Sequence, residues 1–294
     1  MKITKITALI SAAMLCFGTA AACKDKDSKK SSSSSQSESQ PTLSENLSDT
    51  IDQSVSGDNY DKSVYYDTVM QRVDGDEDSS EPFEFGKIGE LVEPDESVPE
   101  EADLGSYHLS DDGVKLYYEE DEFPDELVLT LKEYFQAFSR SDYTAYTQCV
   151  YPSYIEEMNK YLEEDFDHDL KTSFASQCAS LADNVNGDFI VTRIKVEPAP
   201  QFEEGKDNIE SYFSMLDDSF NKDYYSEVKA EADKFYDALF YVMVQDAYGD
   251  ESLIISEYEI VFAEKDGRYY LFNISISINN NSRTYNILCW QTTL

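Results

Sequence analysis

From Pro124 onward the apolar residues recur at helical spacing. Leu127, Leu131, Tyr134, Phe135 and Phe138 share one face of a helix that Asp125 is expected to cap. A short second helix runs from Asp142 towards Val150 and stops before Pro152. Ser153 and Glu156 have the spacing of a capping box for a third helix, with Tyr154, Met158, Tyr161 and Leu162 on one side. A fourth begins near Asp167 and carries Leu170, Phe174, Cys178 and Leu181. Asn186-Gly187 breaks the helical region, and Phe189 to Val196 then alternates as a strand. Asp207 and Glu210 open a further helix with Ile209, Tyr212, Phe213, Leu216 and Phe220 in its stripe, and another helix is expected over 222–235. Three long strands follow, at 238–245, 253–264 and 268–278, with 284–290 as a fourth after an Asn-rich turn. Ala238–Val244 is apolar on both faces, which places it centrally in a sheet.

Upstream the pattern thins. Asp111-Asp112-Gly113 between Tyr107–Leu109 and Val114–Tyr118 predicts a hairpin. Residues 58–125 hold 23 acidic and 4 basic side chains, interrupted by two apolar patches. Tyr66, Val69, Met70 and Val73 keep helical spacing, and Phe83, Phe85, Ile88, Leu91 and Val92 cluster loosely. Either patch could dock on the domain behind it; otherwise residues 58–104 are expected to be acidic, mostly disordered and solvated. Residues 24–57 contain 12 Ser in 34 positions and few large apolar side chains, a composition that cannot offset chain entropy by burial. Such a tether spans roughly 30 Å on average as a flexible chain.

Across 294 residues there are 60 acidic against 23 basic side chains, a formal charge of -37. That excludes a nucleic-acid binder, which needs clustered Lys and Arg, and it disfavours attraction to anionic lipid. Hydrophobic residues make up 41%, but 22 Tyr and 16 Phe supply enough bulk for a core.

The amino terminus has a basic start (Lys2, Lys5), an apolar run from Ile6 to Phe17 and small residues before Cys23. The layout is that of a secretory signal over 1–22. Ala20-Ala21-Ala22-Cys23 resembles the lipobox of bacterial lipoproteins of the Gram-positive type, with Ala20 where that family usually has Leu. The resemblance implies cleavage before Cys23, a diacylglycerol on that cysteine, and residence at the cell membrane on its extracytoplasmic face. An ordinary Ala-x-Ala cleavage that frees a soluble protein is the alternative. Cys149, Cys178 and Cys289 would remain. Their spacing fits no zinc pattern, and Cys149 with Cys178 is the pair an export route would allow to bridge, against a reading of both as small buried apolar groups.

The order of elements predicts an α+β domain over 105–294, with amino-terminal helices packed on a curved, cone-like antiparallel sheet and a disordered tether in front. Leu131-Lys132-Glu133-Tyr134-Phe135-Gln136-Ala137-Phe138-Ser139-Arg140-Ser141-Asp142-Tyr143 resembles the first helices of SnoaL-like (nuclear-transport-factor-like) domains. Two departures stand out: an extra pair of helices at 153–183, and one clear strand before the late helix. That superfamily includes enzymes, pore subunits and binding modules, so the resemblance does not fix a function.

The search for chemistry returns little. Asp74, Asp76 and Asp78, like Asp165, Asp167 and Asp169, begin as calcium loops do but lack the Gly and Glu such loops need. No metal or cofactor is expected. Tyr258, Ile260 and Phe262 with Tyr270, Phe272 and Ile274 are expected on one face of adjacent strands, as pocket lining or as plain core. His168 lies among acids and His108 beside a turn, and neither is expected at a deep polar pocket. Glu119-Glu120-Asp121-Glu122 reads as a loose collector of cations. The sequence therefore points away from catalysis, to a lipid-anchored binding or interaction module whose partner is basic or belongs to the wall. An enzyme with a SnoaL-like pocket and an accessory lipoprotein of an envelope complex are the alternatives.

Overall fold

The structure is a computed structural model that describes residues 51–52, 54–75, 85–93, 104–201, 207–279 and 282–286, with side chains as far as Phe272. The signal segment, Cys23, most of the tether, Phe83, Asp76, Asp78 and Cys289 lie outside the described residues. In chain order the elements are α1 (Lys62–Gly75), β1 (Ile88–Val92), β2 (Tyr107–Ser110), β3 (Lys115–Tyr117), α2 (Asp125–Arg140), α3 (Tyr143–Cys149), α4 (Pro152–Phe166), α5 (Leu170–Asp183), β4 (Ile190–Pro198), α6 (Asn208–Phe220), α7 (Tyr224–Glu231), β5 (Lys234–Gln245), β6 (Glu251–Lys265), β7 (Arg268–Asn279) and β8 (Ser282–Asn286). No helix among the described residues is long and apolar enough to cross a membrane.

The fold is α+β, and the strands form one sheet in the order β1 to β8. The sheet is mixed rather than antiparallel: β3 and β4 run parallel, with Leu116 opposite Ile194. Four helices separate those two strands in sequence, and a connection of that length is what a parallel neighbour requires. β5 is central, between β4 and β6, as its two apolar faces predict.

Helix starts follow the carboxylates. Asp142 accepts from the Ala145 amide, Asp169 from Thr172, Asp207 from Ile209 and Glu210, and Asp223 from Ser226. Two expected caps differ. Pro124, not Asp125, precedes α2, and Asp125 instead accepts from the Tyr118 hydroxyl at 2.6 Å. Pro152 opens α4 in place of a Ser153 box, and Ser153 Oγ faces Tyr224 Oη at 3.1 Å. The helix expected over 222–235 ends at Glu231, because Lys234 and Phe235 pair with Glu264 and Ala263 of β6. A sheet partner has overridden local propensity there. β8 begins two residues earlier than expected, and residues 287–290 lie outside the described residues.

Aromatic residues dominate the core. Phe138, Tyr146 and Phe174 meet where α2, α3 and α5 converge, with ring centroids 4.7–5.6 Å apart. Phe135 lies 5.2 Å from Phe240 of β5, and Phe213 lies 4.9 Å from Phe272 of β7. Such pairs contribute about 0.5–1.5 kcal/mol each beyond the area they bury.

The largest departure lies upstream of 105. Residues 54–75 and 85–93 are built into the fold, so the two apolar patches dock, as one of the two expectations had it, and the domain begins upstream of 105. Tyr65, Val69 and Val73 are buried along α1, one residue round from the expected stripe, with Tyr66 and Met70 half-buried beside them. What turns the stripe is Asp188, a buried carboxylate between α5 and β4. It accepts two hydrogen bonds from Arg72 (2.8 and 3.0 Å), one from Tyr65 Oη (3.0 Å) and one from the Asp52 amide (3.1 Å). Burial, with the neighbouring Asp188 charge, pushes the Tyr65 phenol far above its ordinary range. Gly187 lets the two segments touch, since a Cβ there would lie 2.6 Å from Ser56 Cα. The Ser56 hydroxyl meanwhile accepts from the Asp188 amide at 2.8 Å.

A second ionic joint fixes the hairpin. Asp112, in the turn between β2 and β3, accepts from the buried Lys132 ammonium and from Gln136 Nε2, both at 2.8 Å, and from Ser110 Oγ at 2.5 Å. Burial raises the Asp112 pKa, but the hydrogen bonds from Lys132, Ser110 and Gln136 outweigh it, and the group sits below the ordinary carboxylate range.

Two measurements test these joints. Replacing Arg72 by Met should cost about 3–5 kcal/mol in urea unfolding, because it strands a buried carboxylate; adding Asp188→Asn should return part of that. A single-variant loss below about 0.5 kcal/mol, the level of an ordinary surface change, would show the pair to be idle. For Asp112 the folded pKa is depressed, so its contribution is present above the unfolded carboxylate pKa and is lost as pH falls through the folded value. Asp112→Asn should therefore flatten that part of the acid limb of a stability–pH curve; an unaltered curve would refute the assignment.

Candidate functional site

The six aromatic and aliphatic residues of β6 and β7 do not share a face. Asp266 and Gly267 form a two-residue turn, both at positive φ (54° and 73°), and the register it sets pairs Phe262 with Leu271 and Val261 with Phe272. Tyr258, Ile260 and Phe262 therefore point to one side, and Tyr270 and Phe272 to the other. A three-residue loop Lys265-Asp266-Gly267 would have put them together; one residue of register moves every side chain across the sheet. Ile260, Phe262 and Phe272 are buried in the core, while Tyr258 and Tyr270 are half-buried. The side chain of Ile274 lies outside the described residues. Phe272 stacks on Tyr151 at 5.0 Å and so fills space rather than lining a cavity.

Cys149 and Cys178 are not bridged. Both are free and buried, on α3 and α5. Burial pushes both thiols well above their ordinary range, against the reactive thiolate that a nucleophile needs. His168 is half-buried, with Nδ1 3.1 Å from the Phe166 carbonyl.

His108, unlike His168, does lie at a cavity, though a half-open one rather than a deep polar pocket. It is buried in β2, in the wall of a cavity of about 530 Å³ bounded by Leu91, Leu104, Tyr118, Glu120, Lys195 and Pro198. The cavity opens where the carboxyl ends of the parallel strands β3 and β4 meet the outer strands β1 and β2. A register irregularity lies between Ile88 and Leu91, and the Gly89 carbonyl there sits 3.0 Å from Nδ1. Gly89 is required, since a Cβ there would lie 2.7 Å from the Leu109 carbonyl oxygen. Nε2 lies 3.0 Å from Glu120 Oε1, yet no described residue is aligned to hydrogen-bond it. The Tyr118 ring is 5.2 Å from the imidazole. Burial and the Asp125 carboxylate push the Tyr118 phenol up, so it remains a neutral aromatic surface.

Glu119, Asp121 and Glu197 add further acid to the lining, and Lys195 pairs with Glu197 at 2.7 Å. The site is therefore a half-enclosed aromatic and acidic recess with one oriented imidazole in its wall. Among the described residues no three His, Cys, Asp or Glu side chains converge as metal ligands. A second cavity, about 300 Å³, is lined by Arg72, Arg140, Asp52 and Asp188. Its two guanidinium groups are already committed, Arg72 to Asp188 and Arg140 to Glu133.

Gly89, Leu91, Glu120 and Lys195 carried no site signal in the sequence. The run 119–122 read as undirected acid, and only the pairing of β1 with β2 and of β3 with β4 turns it towards His108. Tyr-His-Leu ahead of the Asp-Gly turn was the one local pointer, since the hairpin it predicts fixes the face that His108 occupies.

The cysteine geometry has a direct check. Thiol labelling of the native protein should leave Cys149 and Cys178 unmodified, and both should react once denaturant is added, as read by peptide mass spectrometry. Rapid native labelling of either would contradict its burial.

Neither a protein-family model, nor a curated protein, nor a solved structure matches this chain.

Proposed function

We propose that the protein is a binding or interaction module held on the extracytoplasmic face of the cell membrane by lipid on Cys23, presenting its α+β domain to a basic partner in the wall or medium. The observation that carries this reading is the recess around His108, where carboxylates gather beside an aromatic surface. Two exposed leucines stand at that recess, Leu91 and Leu104, at 52% and 42% exposure, and apolar groups of that size left open beside charge suit a ligand contact. A net charge of -37 would draw a basic partner in from a distance. The anchor rests on the signal layout and on the Ser-rich run behind Cys23.

The domain itself is proposed as a divergent, cone-like relative of SnoaL-like domains, with helices over a curved sheet. The stretch that prompted the likeness supports it. The aromatic helix α2 ends at Ser141 in the left-handed region, and Asp142 caps the next helix. The parallel β3–β4 pair and the inserted α4 and α5 are departures. A second reading, an enzyme using the same pocket, rests on one specific feature: the Gly89 carbonyl orients His108 as a general base is oriented.

Replacing Cys23 by Ala should move the protein from the membrane fraction into the medium, and the released protein should still capture a basic polypeptide such as polylysine. That capture should weaken steadily as salt rises. Unchanged membrane association would refute the anchor, and failure to capture any basic polypeptide would refute the module.

A further inference from the structure

We infer that the recess at His108 is a receptor for a primary alkylammonium group, the lysine side chain of the basic partner being the fitting occupant. The inference rests on the binding-module reading and specifies its chemistry. The Gly89 carbonyl oxygen only accepts hydrogen bonds, so Nδ1, 3.0 Å away, carries the ring's hydrogen. In the neutral imidazole Nε2 is then a bare lone pair, buried and without a hydrogen bond from any described residue. The group facing it, Glu120 Oε1 at 3.0 Å, is another acceptor. Two acceptors set against each other are satisfied by a shared donor that carries positive charge, and an ammonium group has three N–H bonds to divide between them.

The surroundings choose among cations. A divalent metal would need further ligands, and no three candidate side chains converge among the described residues. The Tyr118 ring stands beside the imidazole, where its face can meet a cation. Leu91 and Leu104 offer apolar surface to an aliphatic stem. The protein's own nearby ammonium, Lys195, is engaged with Glu197, which leaves the Glu120 side of the recess to a ligand. Glu120 is 65% exposed, so its carboxylate can swing aside and close again over an entering group.

The test is an NMR titration of the full chain, following the His108 ring nitrogens. Nα-acetyl-lysine methylamide should shift the Nε2 resonance, and the same compound acetylated on its ε-nitrogen should not. Glu120→Gln, a change at an exposed side chain that leaves folding intact, should weaken binding by at least about tenfold, as loss of a charge-assisted partner does. His108→Phe, which keeps an aromatic ring beside Tyr118, should do the same. Cadaverine separates the sources: tighter binding of the lysine compound assigns the site to a protein partner, and tighter binding of cadaverine assigns it to free amines. Equal binding of the ε-acetylated compound, an unaffected Glu120→Gln protein, or an Nε2 already protonated at neutral pH in the free protein would overturn the inference. So would a shift of that resonance by one equivalent of Zn²⁺ alone. Polylysine capture that survives both substitutions unchanged would refute this site and leave the tethered module standing. Wild-type protein that captures no polylysine refutes the module, and the lysine titration still judges the recess.

Discussion

The carboxylate of Asp188 is buried where it needs donors, and it finds them more than a hundred residues earlier in the chain, in Arg72, Tyr65 and the Asp52 amide. A carboxylate left unpaired in that position would cost several kcal/mol, so the domain is completed only when the acidic amino-terminal stretch comes back onto it. The apolar face of α1 supplies the area, about 1.5–3 kcal/mol for each large side chain fully buried, and the guanidinium supplies the register. Alongside it, the Tyr60 hydroxyl and the Lys62 ammonium both reach Asp183 at the end of α5. What composition marks as a solvated linker is in part a structural element.

The same economy of cations runs through the molecule. With 60 acids and 23 bases, few carboxylates can be paired, and two of the pairs, Arg72–Asp188 and Lys132–Asp112, sit at joints. Lys132 and Glu133 are neighbours on α2, both buried, yet they serve different partners, Asp112 in the hairpin and Arg140 about two turns further along the same helical face. Burial raises the Glu133 pKa, and the Arg140 charge only partly counters it. Other lysines lie over the protein's own tyrosine rings, Lys234 at 4.1 Å from Tyr236 and Lys229 at 5.0 Å from Tyr225. Basic side chains are thus drawn into internal contacts, while Glu119, Glu120, Asp121 and Glu122 face solvent together.

Helices were the legible part. Aromatic stripes at 3.6-residue spacing and an Asp before each run locate α3, α5 and α6 closely, because both signals are local. Strand existence was legible too, but strand register was not. Whether Phe262 and Phe272 share a face depended on whether the β6–β7 turn holds two residues or three, and the sequence Lys-Asp-Gly-Arg is compatible with either. The extent of α7 and the parallel β3–β4 pair were hidden for a related reason, since each is decided by a partner distant in sequence. The Asp188 joint left only one trace, helical spacing around Val69 and Val73, and nothing in that spacing names Asp188.

Register also explains how the recess comes to exist. His108 is adjacent to a predicted hairpin, but its orientation is given by Gly89, on a strand that only the docked upstream chain can supply. β1 is the last strand at its edge of the sheet and shows most of its residues to solvent, so pairing with β2 is weakly supported by burial alone. It is bounded in sequence by α1 on one side and by β2 on the other, and both of these are anchored, α1 through Asp188 and β2 through Asp112 and Lys132. Fixing both ends reduces the loop-closure cost of bringing β1 home. The imidazole in the recess is therefore oriented by a carbonyl whose position depends on two ion pairs, each with one buried partner, neither of which touches the recess. An electrostatic shortage of cations and the geometry of the candidate site are in this sense the same constraint, met at three places along the chain.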